Sequence, residues 1–230
     1  MLTREADILR LLAGTDVPAA RLHAVDATAA HCAHPSLLMS LLPGEVRLAD
    51  DLSQPLARQL VDIHRLAVPE HARPRVYQAW TSPDRVPAPT ALWRRAVDVI
   101  RRDPPPYTGT FLHRDFHPGN VLFERETITG VVDWVETSWG PADLDVAHCA
   151  TATALLHGPD AGLRFPEHYR EAGGRLAEDP EDRRYWCLLD ALGFAPDAEK
   201  VAGPWRELGR SDLTPGLLTR RLTDYVAALA

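Results

Sequence analysis

Lysine is nearly absent from this chain of 230 residues: Lys200 is the only one among 25 basic side chains, and the rest are arginine. Basic residues are outnumbered by 32 aspartates and glutamates, giving a net charge of −7. That balance argues against a nucleic-acid partner, which would need a basic face toward the phosphates. Cysteine is scarce as well. Cys32, Cys149 and Cys187 are odd in number and form no CxxC pair, which argues against a disulfide framework and fits a reducing cytoplasm. No apolar run approaches the roughly 18 residues of a membrane span. The start, MLTREADILRLLAG, lacks the basic-then-apolar order of a signal peptide.

What is present is an ordinary globular composition. Hydrophobic residues make up 45% and charged residues 25%, which excludes a disordered or fibrous chain. The length allows one large domain, or one domain with a small partner lobe. Residues 3–13 predict a helix with Thr3 as N-cap and Gly14 as its stop. Two short strand-like runs follow at 21–26 and 37–42, and Pro43-Gly44 then breaks the chain. Beyond that break helices are expected at 52–67 and 90–102, separated by a proline-rich loop over 68–89. Three short apolar runs, 111–112, 121–123 and 128–132, read as small strands. Helices then return at 142–156, 166–173, 180–193 and 216–229. The one lobe boundary falls near Pro43-Gly44, dividing 1–43 from 44–230.

The chemistry concentrates in HRDFHPGN, residues 113–120. Asp115 sits in a loop between short apolar runs, with Asn120 five residues on and Asp133 at the end of ITGVVD. Such a set supplies an acceptor for a hydroxyl proton and hard oxygens for Mg²⁺, the two needs of phosphoryl transfer from a nucleotide. Taken alone, H-x-D-x-H fits a surface loop as well. A metal trio of His113, Asp115 and His117 would need a helix, which Pro118-Gly119 opposes. His31, Cys32 and His34 read as a solvated turn, and His148-Cys149 as packing within a helix. Trp186 and Asp190 lie four apart on one helical face, read as a buried tryptophan beside a surface aspartate.

HRDFHPGNVLF resembles the catalytic loop of protein kinases and, more closely, that of the aminoglycoside phosphotransferase family. GVVDW resembles that family's metal-binding segment, and GPADLDVAH its following helix start. The resemblance implies an α+β, kinase-like fold with a truncated small lobe over 1–43 and a mostly helical large lobe. It implies ATP-dependent phosphorylation of a small-molecule hydroxyl. Asp115 would be the catalytic base or orienting carboxylate, and Asn120 and Asp133 would hold Mg²⁺. His113 and Asp145 would support the loop. SLLMSLLPGE resembles the strand and hinge that meet adenine, through the backbone of Ser40, Leu41 and Leu42. TREADILRLL resembles the helix that carries a glutamate, here Glu5. Asp190 would be the acidic group for a cationic substrate.

The chain departs from the family at its start. Only four residues precede Glu5, and neither a glycine-rich strand pair nor a lysine-bearing strand is present. The expectation is a fragment or a short form with weak nucleotide binding, exposing a sheet edge and an apolar face that favour self-association. The alternative function is a non-catalytic kinase-like binding module. A protein kinase is less favoured, since no A-P-E-like segment follows GPADLDVAH.

Overall fold

The computed structural model describes residues 2–195 and 198–230. The chain opens with helix α1 (Leu2–Leu12), whose buried face carries Ala6, Ile8, Leu9 and Leu12. Strands β1 (Leu22–Asp26) and β2 (Ser36–Met39) pair antiparallel, with Ala24 opposite Leu38. Residues 40–42, expected in the second strand, leave the ladder. The side chain and the N–H of Ser40 close it instead, bonding the N–H and carbonyl of Arg21 at 2.9 Å each.

Gly44 then turns the chain with a φ of +96°, where a Cβ would meet Thr129 Oγ1 and the Phe123 carbonyl. The short strand β3 (Glu45–Val46) follows directly. It joins β5 (Val121–Glu124) and β6 (Thr127–Val131) in an antiparallel sheet of order β3-β5-β6, to which 45–46 add an edge that the hydropathy pattern does not reveal. Strands β4 (Thr110–Leu112) and β7 (Ser138–Gly140) form a second small pair.

The helices build the large layer. Helix α2 (Ser53–His64) buries Leu56, Leu60 and Ile63 at the expected stripe. Helix α3 (Ala91–Val99) is capped by Thr90, which accepts the N–H of Trp93. Helix α4 (Ala142–His157) is the spine: every residue from 143 to 156 is buried. Helix α5 (Pro159–Glu171) packs against it closely, because Gly162 lies where a Cβ would sit 2.5 Å from the Ala150 carbonyl. It starts earlier than the expected 166, since Pro166 lies inside the helix rather than at its first turn. Helix α6 (Pro180–Leu192) and helix α8 (Pro215–Leu229) each begin with proline at the first turn after a capping Asp179 or Thr214. Helix α7 (Glu199–Glu207) was not expected, because Gly203 and Pro204 interrupt its pattern. No helix among the described residues is long and apolar enough to cross a membrane.

One core runs through the chain, from Ile8 and Leu9 of α1 to Tyr225 and Val226 of α8. The β1-β2 pair and the segment that follows it stand at its margin and turn apolar groups outward, with Leu38 62% and Leu41 95% exposed. If this face drives self-association, Leu38→Ser combined with Leu41→Ser will shift sedimentation toward a single smaller species. An unchanged distribution would remove the face from any assembly.

Candidate active site

The loop from His113 to Asn120 hangs between β4 and β5, and its backbone is gripped from below. Asp145, in the first turn of α4, accepts the N–H of His113 at 2.7 Å and that of Arg114 at 2.8 Å. Its carboxylate is fully buried, and His64 Nε2 lies 3.2 Å from the first of these oxygens. His64 Nδ1 sits 2.7 Å from the Tyr169 hydroxyl. The ring therefore donates to Asp145 through Nε2, and the Tyr169 hydroxyl holds its other nitrogen. Burial works against the charge on Asp145, and the hydrogen bond and proximity of His64 overcome it, leaving the carboxyl below its usual range.

His113 is also fully buried. Its Nε2–H reaches the Val132 carbonyl at 3.0 Å and its Nδ1 accepts the N–H of Asp115 at 3.2 Å. Burial pulls its pKa down, so the ring stays neutral and the two bonds fix its tautomer. Arg114 adopts a φ of +74° and Asp133 one of +63°. Left-handed backbone at two non-glycine positions marks strain that the surrounding bonds hold in place.

Asp115 collects the remaining contacts. Asn120 Nδ2 donates to its backbone carbonyl at 2.9 Å and to Oδ2 at 3.1 Å. His148 Nε2, from α4, lies 3.1 Å from Oδ1. The other ring nitrogen of His148 lies 3.0 Å from Asp190 Oδ1, on α6. Both ring nitrogens face carboxylate oxygens, so both must donate, and the ring is an imidazolium. Burial opposes that charge, but Asp190 and Asp115 outweigh it and hold the pKa up to about 9. Burial likewise opposes the charge on Asp115, and the hydrogen bond and charge of His148 drive its pKa far below the usual range. Asp190 is thus not the surface aspartate that its neighbour Trp186 suggested: it is buried behind His148, with Oδ1 on the ring and Oδ2 buried without a partner.

Asp115, His117 and His148 bring ligand-capable atoms within 4.8 Å of one another. Hydrogen bonding argues against a metal there. Gly119 N–H donates to His117 Nδ1 at 3.0 Å, which leaves the proton on Nε2, the atom that faces Asp115 at 3.9 Å. Burial, helped by the charge of His148, lowers His117 to about 4, so this ring is neutral with that tautomer.

Asn120 commits its amide N–H group to Asp115 and keeps its side-chain oxygen for another ligand. Asp133 is exposed, and its carboxylate has no hydrogen-bond or ion-pair partner among the described residues. Val132 N–H bonds the Asn120 carbonyl at 3.0 Å, so the two ends of the β5-β6 hairpin meet. These are the hard oxygens a divalent cation takes. On the far side, burial and the charge of Asp133 push Glu5 upward. Arg4 ties α1 to the turn after Asp133 by donating to the Val135 carbonyl at 2.6 Å. The backbone N–H groups of Leu41 and Leu42 make no hydrogen bond among the described residues, whereas that of Ser40 is spent on Arg21.

Asp115 opens into a cavity of about 320 Å³, walled by Trp80, His117, Phe194, Lys200 and Trp205. A larger cavity, of about 690 Å³, lies against His64, Arg65 and Tyr169 and does not include Asp115. Lys200, distant in sequence, thus lies beside the loop rather than beside Glu5. The sequence pattern marks none of His148, His64 and Trp80 as a site residue. An ionisable side chain in a helix as apolar as α4 is the one signal that could have found His148, since such a group needs a buried partner.

A sequence model of the phosphotransferase enzyme family matches residues 2–186. The chain belongs to that family. No curated protein sequence matches it. Among solved structures, this phosphotransferase-family chain is similar to a Ralstonia eutropha protein provisionally described as an aminoglycoside phosphotransferase, with a TM-score of 0.66 at 15% identity over 99% of this chain and 82% of that one. It is also similar to a macrolide 2'-phosphotransferase of Brachybacterium faecium, with a TM-score of 0.53 at 21% identity over 93% and 81%. A third is an aminoglycoside phosphotransferase of Streptomyces rimosus, solved with ADP and streptomycin, with a TM-score of 0.59 at 18% identity over 84% and 82%. At these identities the likenesses establish the kinase-like fold.

The pKa of His148 has a consequence for stability. The folded state raises it, so its contribution is full below about 6.5, the unfolded value, and fades as pH rises through about 9. Urea midpoints of the wild type are expected to fall across that window, whereas His148→Gln shows no such drop. Parallel curves for the two proteins would remove the imidazolium.

Proposed function

We propose that this chain transfers the terminal phosphoryl group of ATP to a hydroxyl of a small molecule. The observation that carries the reading is the carboxylate of Asp115, ionised by its neighbours and facing an open cleft with aromatic walls. The cavity volume falls in the range of small-molecule sites.

Asp115 orients the acceptor hydroxyl through a lone pair that Asn120 and His148 leave free. The acceptor oxygen bonds the terminal phosphorus as the bond to the leaving diphosphate oxygen breaks, and the hydroxyl proton passes to Asp115. A carboxylate held this low is a weak base, so the proton moves only as the new bond forms. Asn120 Oδ1 and Asp133 would hold Mg²⁺, which would offset phosphate charge. The free N–H groups of Leu41 and Leu42, beside the Ser40 turn, would meet the adenine edge. The Streptomyces rimosus relative binds ADP, which supports a nucleotide in the equivalent cleft. Three unpaired thiols support a reducing cytoplasm as the place of action.

A second reading, a non-catalytic binding module, is favoured by one observation: Glu5 faces Asp133 rather than a lysine. Thermal shift separates the two, since only the catalytic reading requires Mg²⁺-dependent stabilisation by millimolar ATP.

Asp115→Ala is expected to lower phosphate transfer by at least about 10²-fold while retaining cooperative unfolding. Transfer at the wild-type rate in that variant would take Asp115 out of the mechanism.

A further inference from the structure

Arg114 follows His113 in the loop, yet its side chain lines a different cavity from the one that holds Asp115. This second cavity has a volume of about 230 Å³ and is walled by Arg75, Gln78, Trp80, Arg114, Glu136 and Ser138. Arg114 is only 3% exposed. One face of its guanidinium lies 4.4 Å from the Trp80 ring centroid, and Nη2 donates to the Gln78 carbonyl at 3.3 Å. Nη1 is buried with no partner, and so is the hydroxyl of Ser138. Two polar groups on residues that wall this cavity are therefore buried without a partner.

Charge points the same way. Arg75 is paired with Glu136 at 2.6 Å, which leaves the guanidinium of Arg114 with no ion pair among the described residues. Asp145 is near enough for Arg114 to lower its pKa, but its oxygens already serve His113, Arg114 N–H and His64. A buried cation is costly unless an anion meets it, and a water molecule would satisfy the hydrogen bonds without matching the charge. The cavity has several times the roughly 30 Å³ that one water occupies. A guanidinium fork matches the paired oxygens of a carboxylate or a phosphate.

We propose that this cavity binds a small oxyanion, a carboxylate or phosphate group, held by Arg114 and Ser138 with Arg75 at its rim. Trp80 and Glu136 wall both this cavity and the one that holds Asp115. The oxyanion is therefore either the far end of the acceptor whose hydroxyl reaches Asp115, or a separate ligand that stiffens the loop from behind.

Binding needs no phosphoryl transfer, so the test stands apart from the reading above. Inorganic phosphate, a set of ω-hydroxy carboxylates and the same carboxylates without the hydroxyl are titrated into the full chain against chloride at matched ionic strength. Melting temperature is the readout. Phosphate and carboxylates are expected to raise it where chloride does not, and Ser138→Ala and Arg75→Gln to weaken that binding by roughly ten-fold each. Arg114→Gln should abolish it, and the two milder variants keep the test valid should that one fail to fold. Tighter binding by the hydroxy acids, lost in Asp115→Ala, supports the acceptor as the source; equal binding supports a separate ligand. No stabilisation beyond chloride, or stabilisation that all three variants retain, would overturn the site.

Discussion

His148 stands between two carboxylates, and the rest of the site takes its shape from that contact. One ring bonds Asp115 on the loop and Asp190 on α6, so a loop side chain is tied to two helices through a single imidazolium. Phe194 stacks on the ring and Trp80 meets its edge, which leaves it little freedom to turn. Three consequences follow. Asp115 stays ionised and weakly basic, one oxygen of Asp190 is committed to the ring, and the Asp115, His117 and His148 group is a hydrogen-bonded network.

Helix α4 is what makes this possible. Asp145 and His148 lie three residues apart, on one face of the helix and under the same loop. The first holds the loop's backbone and the second its working side chain. A helix buried along almost its whole length can carry two such charges only when each is matched. Asp145 has two N–H donors and His64, and His148 has Asp115 and Asp190. Gly162 lets α5 close over the same helix and bring Tyr169 to His64.

Much of this was legible in the sequence where the contacts are local. The loop, the hairpin and the helix start occupy residues 113–145, and short-range pattern is enough to read them. Asp145 itself was expected to brace the loop, and its bonds are of that kind. What stayed hidden depends on distance along the chain. His148 meets residues 33 and 42 positions away, and no periodicity encodes such a pairing. Asp190 was misjudged for the same reason, because a lone aspartate on a helix reads as surface until its partner is known. Trp80 lies in a proline-rich loop whose path only packing decides. Helix α7 was obscured by Gly203 and Pro204, whose cost the tertiary contacts of Ala202 and Trp205 override.

The charge state of His148 is the point on which the account turns, and nitrogen NMR of the ring reads it directly. With both nitrogens donating, the ring should give the paired shifts of an imidazolium at neutral pH and keep them until pH approaches about 9. A ring that titrates near the ordinary value of about 6.5, or shows one bare nitrogen at neutral pH, would contradict the arrangement around Asp115.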